Sequence, residues 1–196
     1  MYRFYLAAVD MFPAALILIP VFWLLNRALF HNSRKCIQYY LFACYLAVVY
    51  VLVGLPNVTY IRAELNLNLL PFAGMLDDWK NSILNILLFI PLGIMLPLLW
   101  SNFRNTGKTI LFGFAMSLAI ELLQILTFRA TDVNDLITNT LGAYLGNLSA
   151  TALLRKYNPA AENSTHELYI VIAAVLLSMF FIYPFVSAAL WDSIIH

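Results

Sequence analysis

Glu121-Leu-Leu-Gln124-Ile-Leu-Thr-Phe-Arg129-Ala-Thr-Asp132-Val-Asn-Asp135-Leu-Ile-Thr-Asn139-Thr-Leu-Gly142-Ala-Tyr-Leu-Gly146 is the stretch on which the fold turns. It opens inside an apolar run. From Asp132 onward, Asp135, Asn139, Gly142 and Gly146 follow at spacings of three, four, three and four, so on a helix they line one narrow face. Ionisable side chains at hydrocarbon depth are costly, and they face a protein interior or a wet cavity. A polar, small-residue stripe of this kind is where a membrane protein would keep its site.

The surrounding composition fits that setting. The chain is 63% hydrophobic and 11% charged, whereas a soluble domain averages about 25% charged residues. A net charge of +1 provides no basic field for nucleic acid. Cys36 and Cys44 share one apolar run and read as small buried thiols, not as a disulfide framework or a metal-ligand pattern. No cofactor is implied.

A spanning helix needs about 20 mainly apolar residues. Six stretches qualify, near 11–30, 36–55, 82–100, 109–128, 133–154 and 167–191. The fifth is the least apolar because it carries the polar stripe. The expected fold is therefore all-α: a polytopic membrane helix bundle of about six transmembrane helices. Lys and Arg in the connections set the orientation. Arg27, Arg34, Lys35, Arg104, Lys108, Arg155 and Lys156 lie on one side, and Arg3, Arg62, Lys80 and Arg129 on the other. The richer side is cytoplasmic by this rule, which places both the N-terminus and the C-terminus outside. Trp79, Trp100 and Trp191 suit interfacial belts. The connection 157–166 reads as a flexible cytoplasmic loop, and the outer loop 57–81 as an element that lies on the membrane or dips into it.

In this topology Asn85, Glu121, Asp135 and Asn139 approach one another in the outer leaflet, with Arg62 and Arg129 at the same face. Each also has a plain structural reading. Asp132 suits a helix N-cap and Asp135 the third helical position. Gly142 and Gly146 form a small-xxx-small pair for close helix contact. Pro91 frees the carbonyl of Leu87. Glu121, among Ile120, Leu122 and Leu123, must be paired or uncharged, with Arg129 or Arg62 as the partner in reach. Gln124 shares its face.

Asn85-Ile-Leu-Leu-Phe89-Ile-Pro91-Leu-Gly93 resembles the asparagine–phenylalanine–proline–glycine signature of VanZ-like membrane proteins. Glu121 and Gln124 match that family's glutamate–glutamine pair. Arg129, Asp132, Asp135, Asn139, Gly142 and Gly146 match the arginine, aspartates, asparagine and glycines that the family carries after that pair. Leu70-Pro71-Phe72 is similar to the leader of the family core. The resemblance divides the chain into an additional N-terminal helix at 1–36, a VanZ-like core at 37–156, and a loop with a C-terminal helix at 157–196. It implies a multi-pass protein of the bacterial inner (plasma) membrane and a link to the cell envelope. The founding member is associated with resistance to the glycopeptide teicoplanin.

Three classes of function fit these residues. In the first, Asn85, Glu121, Gln124, Arg129, Asp132, Asp135, Asn139 and Arg62 form an outward-facing polar pocket. It binds or modifies membrane lipids, a lipid-linked envelope precursor or a glycopeptide, with Arg62, Arg129 and Lys80 attracting phosphate. The second is an intramembrane enzyme in which Glu121, Asp132 and Asp135 act as acid or base, or hold Mg²⁺, on a phosphate-bearing lipid. No H-E-x-x-H, G-x-S-x-G or P-loop accompanies them. The third is a transporter or proton relay through Glu121, for which no repeated half is visible.

Overall fold

The computed structural model describes residues 2–63, 67–68, 70–72, 78–127, 131–157 and 159–195. Its elements are α1 (Tyr2–Leu25), running into a π-helical turn at Asn26–Phe30; α2 (Ser33–Val53); β1 (Leu67–Asn68); α3 (Trp79–Leu99); and a 3₁₀ turn at Ser101–Arg104. They continue with α4 (Thr106–Gln124), β2 (Thr131–Asp132), α5 (Val133–Tyr157), α6 (His166–Leu177), a π-helical turn at Ser178–Ile182, and α7 (Tyr183–Ile195).

Among the described residues, five helical stretches are long and apolar enough to cross a membrane: Met11–Phe30, Ser33–Val53, Trp79–Leu99, Thr106–Gln124 and His166–Asp192. The expected fifth span exists as a helix of 25 residues. It has the length to cross and lacks the apolarity, because its stripe replaces hydrocarbon with Asn, Thr, Asp and Gly. The fold is an all-α one of five to six long helices, that of a multi-pass membrane protein.

The chain forms two compact units. The first joins residues 1–61 to 166–196 and contains α1, α2, α6 and α7. Where α6 meets α7, Pro184 has no N–H for the carbonyl of Phe180, and the amide of Val58 takes that carbonyl at 3.1 Å. The start of α2 is tied to the start of α6. Lys35 Nζ lies 2.9 and 2.8 Å from the two carboxylate oxygens of Glu167, and the buried Tyr39 hydroxyl donates to Glu167 Oε2 at 2.6 Å. Gly54 ends α2 in the left-handed conformation (φ 64°) that glycine adopts without strain.

The second unit, residues 62–165, contains α3, α4 and α5. In lipid, helices gain little by burying apolar surface against one another, so close approach of backbones must hold them. Here three glycines permit it. A Cβ on Gly142 would stand 2.3 Å from the carbonyl oxygen of Ile86, one on Gly146 2.1 Å from that of Ile90, and one on Gly93 2.1 Å from that of Ala143. Residues one turn apart on α5 thus meet residues one turn apart on α3, and the two helices run in the same direction. α4 runs antiparallel to α5, with Gly113 against Ala143.

Two expectations need correction. Trp100 is fully buried. It pairs through its backbone with Glu162 and does not sit in an interfacial belt. The connection after α5 is held down against the end of α3. Glu162 N–H donates to Leu99 O at 2.9 Å, Ser101 N–H to Glu162 O at 2.8 Å, and the Arg104 guanidinium to Pro159 O at 2.5 Å. Its polar residues spend their hydrogen bonds on the α3–α4 connection, a pairing that composition alone does not reveal.

Candidate functional site: a buried polar cluster between α4 and α5

The helix α4 is turned inside out relative to a soluble helix. Leu111, Phe114, Leu118 and Leu122 are exposed, while Thr109, Gly113, Ser117, Glu121 and Gln124 are buried. Exposed apolar and buried polar side chains are what a hydrocarbon solvent demands, since polar groups there must find protein partners. The buried set recurs every four residues and then after three, so it forms one continuous face. That face meets α5 turn by turn. Thr109 Oγ1 accepts from Asn147 Nδ2 at 3.2 Å, Gly113 touches Ala143, and Ser117 Oγ accepts from Asn139 Nδ2 at 2.9 Å. At the end of the seam stands Glu121.

Glu121 is 3% exposed, and its Oε2 accepts the backbone N–H of Asp132 at 2.9 Å. The hydroxyl of Thr131 donates to its main-chain carbonyl at 3.1 Å. Asp132 in turn caps α5, since its Oδ1 accepts the N–H of Asn134 at 2.8 Å. Its second oxygen accepts from Asn68 Nδ2 at 3.0 Å. The buried Asn134 then accepts the N–H of Phe72 at 2.7 Å. A relay of hydrogen bonds therefore leads from a buried carboxylate to the loop that precedes α3. A carboxylate that accepts backbone N–H groups is fixed in place by bonds roughly twice as strong as neutral ones.

The loop itself is positioned by pairing. Arg62 N–H donates to Leu126 O at 2.9 Å, Arg62 lies beside Thr127 in parallel register, and Leu67–Asn68 pairs in parallel with Thr131–Asp132. The described parts of the 57–81 loop thus run alongside the α4–α5 connection.

Of the residues singled out from sequence, the structure brings Glu121, Asp132 and Asn139 onto the α4–α5 seam. Gln124 is buried at its end, three residues beyond Glu121, and its main-chain carbonyl accepts from the Thr127 hydroxyl. Asp135 is half-buried one turn before Asn139, in the first turn of α5. Asn85 is half-buried on α3, next to the Ile86 that Gly142 touches. Arg62 is exposed, placed by its backbone at the rim. Arg129 lies outside the described residues. Pro91 and Gly93 sit within α3, Gly93 at the contact with α5. Sequence reasoning did not single out Thr109, Ser117, Asn134 and Asn147. The four-residue recurrence Thr109, Gly113, Ser117, Glu121 is the signal that marks the α4 members, and Asn147 continues the Asn139 face after two turns.

The fold and this cluster define a class: a multi-pass helical membrane protein whose polar side chains are gathered inside a three-helix unit. Within that class, residues 42–155, more than half of the chain, match the VanZ/LLP1 family. This chain is also 33% identical over 121 residues to Protein VanZ of Enterococcus faecium, a match covering 60% of this chain and 71% of that protein. The chain belongs to the VanZ family. No solved structure matches it significantly.

Proposed function

We propose that this protein binds or modifies a cell-envelope lipid or lipid-linked precursor, holding its polar head group at the Glu121 end of the α4–α5 seam. The observation that carries this reading is the Glu121 carboxylate, the one ionisable group on the buried face of α4, at 3% exposure and set in a fixed hydrogen-bonding frame. Such groups in spanning helices mark functional sites by default, because structure alone seldom repays their cost. Glu121, Gln124, Asp135 and Asn139 would meet hydroxyls, amides or amines, while Arg62, Arg129 and Lys80 would attract phosphate. In this reading both termini and the Glu121 end of the seam face the outside, following the Lys and Arg distribution. The Gly113–Ala143 contact separates the Ser117–Asn139 pair from the Thr109–Asn147 pair. That break disfavours a continuous polar route across the membrane.

The test is a comparison of lipids that co-purify with the wild type and with Glu121→Gln, Asp135→Asn and Arg129→Ala, each checked for a monodisperse elution profile. A head-group class enriched on the wild type and depleted on the folded variants supports the reading. An unchanged lipid profile across all three overturns it. Susceptibility of cells to teicoplanin, with and without the chain, tests the cellular link that the family relation suggests.

A further inference from the structure

We propose that Leu70-Pro71-Phe72 is a lipid-inserted tip, tethered to the Glu121 cluster through Asn134 and Asp132. Leu70 is 69% exposed and Phe72 68% exposed. Phe72 holds φ at 64°, a conformation that bulky residues rarely adopt. Its N–H is fixed by Asn134 Oδ1 at 2.7 Å. Pro71 has no N–H. The tip thus offers two large apolar side chains, and neither Pro71 nor Phe72 presents an unmet backbone donor, which suits backbone entering lipid.

Its level in the unit points to the bilayer as the partner. Asn134 is the second residue of α5. Since α3 and α5 run in the same direction with Ile86 beside Gly142, the first turns of both helices lie at one end. At that end Trp79 is 53% exposed, and Ile83, Leu84 and Leu87 continue its apolar surface along α3. A Leu–Pro–Phe tip standing at the end of a spanning helix meets the interfacial layer, where aromatic and aliphatic side chains are stabilised. The tether runs from Phe72 N–H to Asn134, from Asn134 N–H to Asp132, and from Asp132 N–H to Glu121, so the position of the tip and the frame of Glu121 are coupled. Asn68, which clasps the other oxygen of Asp132, guides the loop into it.

Spin labels at Leu70→Cys and Phe72→Cys, in a full chain carrying Cys36→Ser and Cys44→Ser, would be measured in vesicles of phosphatidylethanolamine and phosphatidylglycerol. Both labels should collide more readily with oxygen, which partitions into lipid, than with a water-soluble nickel chelate. Preference for the chelate at both positions overturns insertion. Asn134→Ala should sharpen the spectrum of the Leu70→Cys label to that of a mobile loop, and Asn134→Asp, which keeps an acceptor oxygen, should restore it. An unchanged line shape in Asn134→Ala overturns the tether. If Asn134→Ala does not fold, Asn68→Ala takes its place, with the same expected sharpening and the same overturning result.

Discussion

Replacing Gly146 with alanine tests what holds the three-helix unit together. The added Cβ would sit 2.1 Å from the carbonyl oxygen of Ile90 and 2.9 Å from the Cα of Gly93. A carbon and a carbonyl oxygen settle near 3.3–3.6 Å even in their closest favourable contacts, so α5 must withdraw from α3 by roughly 1 Å. Both obstacles are backbone, so no side chain can swing aside. Withdrawal of that size forfeits about a quarter to a half of the dispersion well at each contact along the seam. Overpacking costs about 1–3 kcal/mol in a tight core, and this site belongs at the upper end because neither backbone obstacle can give way without moving a whole helix. Gly107→Ala is the control. There the nearest obstacle is the Asn105 side chain, at 3.2 Å, and the change should stay within about 1 kcal/mol of wild type, the size of an ordinary Gly–Ala difference in a helix. The assay is the unfolding midpoint of purified protein in mixed micelles titrated with a denaturing detergent. Equal midpoints for Gly146→Ala and Gly107→Ala would refute the account of the α3–α5 contact.

Three further outcomes are expected. Glu121→Ala strands the N–H of Asp132 and should destabilise by about 1–3 kcal/mol, while Glu121→Gln, which keeps an oxygen for that donor, should cost less; equal losses in the same titration would contradict the hydrogen-bonding role. Tyr39→Phe should cost about 1.5–3 kcal/mol, the range for a hydrogen bond to a charged group. Combined with Glu167→Gln its effect should be less than additive, and a strictly additive double mutant would show that the Lys35–Glu167–Tyr39 group is not coupled. Pro184→Ala supplies Phe180 with a competing helical donor, so the Val58 amide should exchange its hydrogen faster; unchanged exchange at Val58 would show that the bond to Phe180 does not protect it.

Much of the architecture is legible in the residues because solvent acts on each helix locally. Runs of about 20 apolar residues declare the spans, and helical periodicity says which face of each is polar. The face of α5 that carries Asn139, Gly142 and Gly146 is buried as that periodicity implies. The compact units do not follow the family match: residues 42–53 of α2 lie inside the matched region 42–155, yet α2 belongs to the unit formed with α1, α6 and α7. Loops were the least legible. The connection 157–166 reads as a flexible loop, and the backbone of its Glu162 is instead paired with Leu99 and Ser101. Such pairing depends on what lies across from a loop, which no local pattern encodes.

By itself the sequence determines the solvent. Its hydrophobic fraction, the lengths of its apolar runs and its sparse polar stripe admit a membrane and little else. Which hydrophilic groups meet was decided by tertiary structure. Helical period settles the face a residue occupies, but not how far one helix slides along another. That slide is set where Gly93, Gly142 and Gly146 let α3 and α5 touch backbone to backbone. On the other side of α5, Gly113 lets α4 sit against Ala143, and in that register Ser117 finds Asn139 and Glu121 finds the main chain of Asp132.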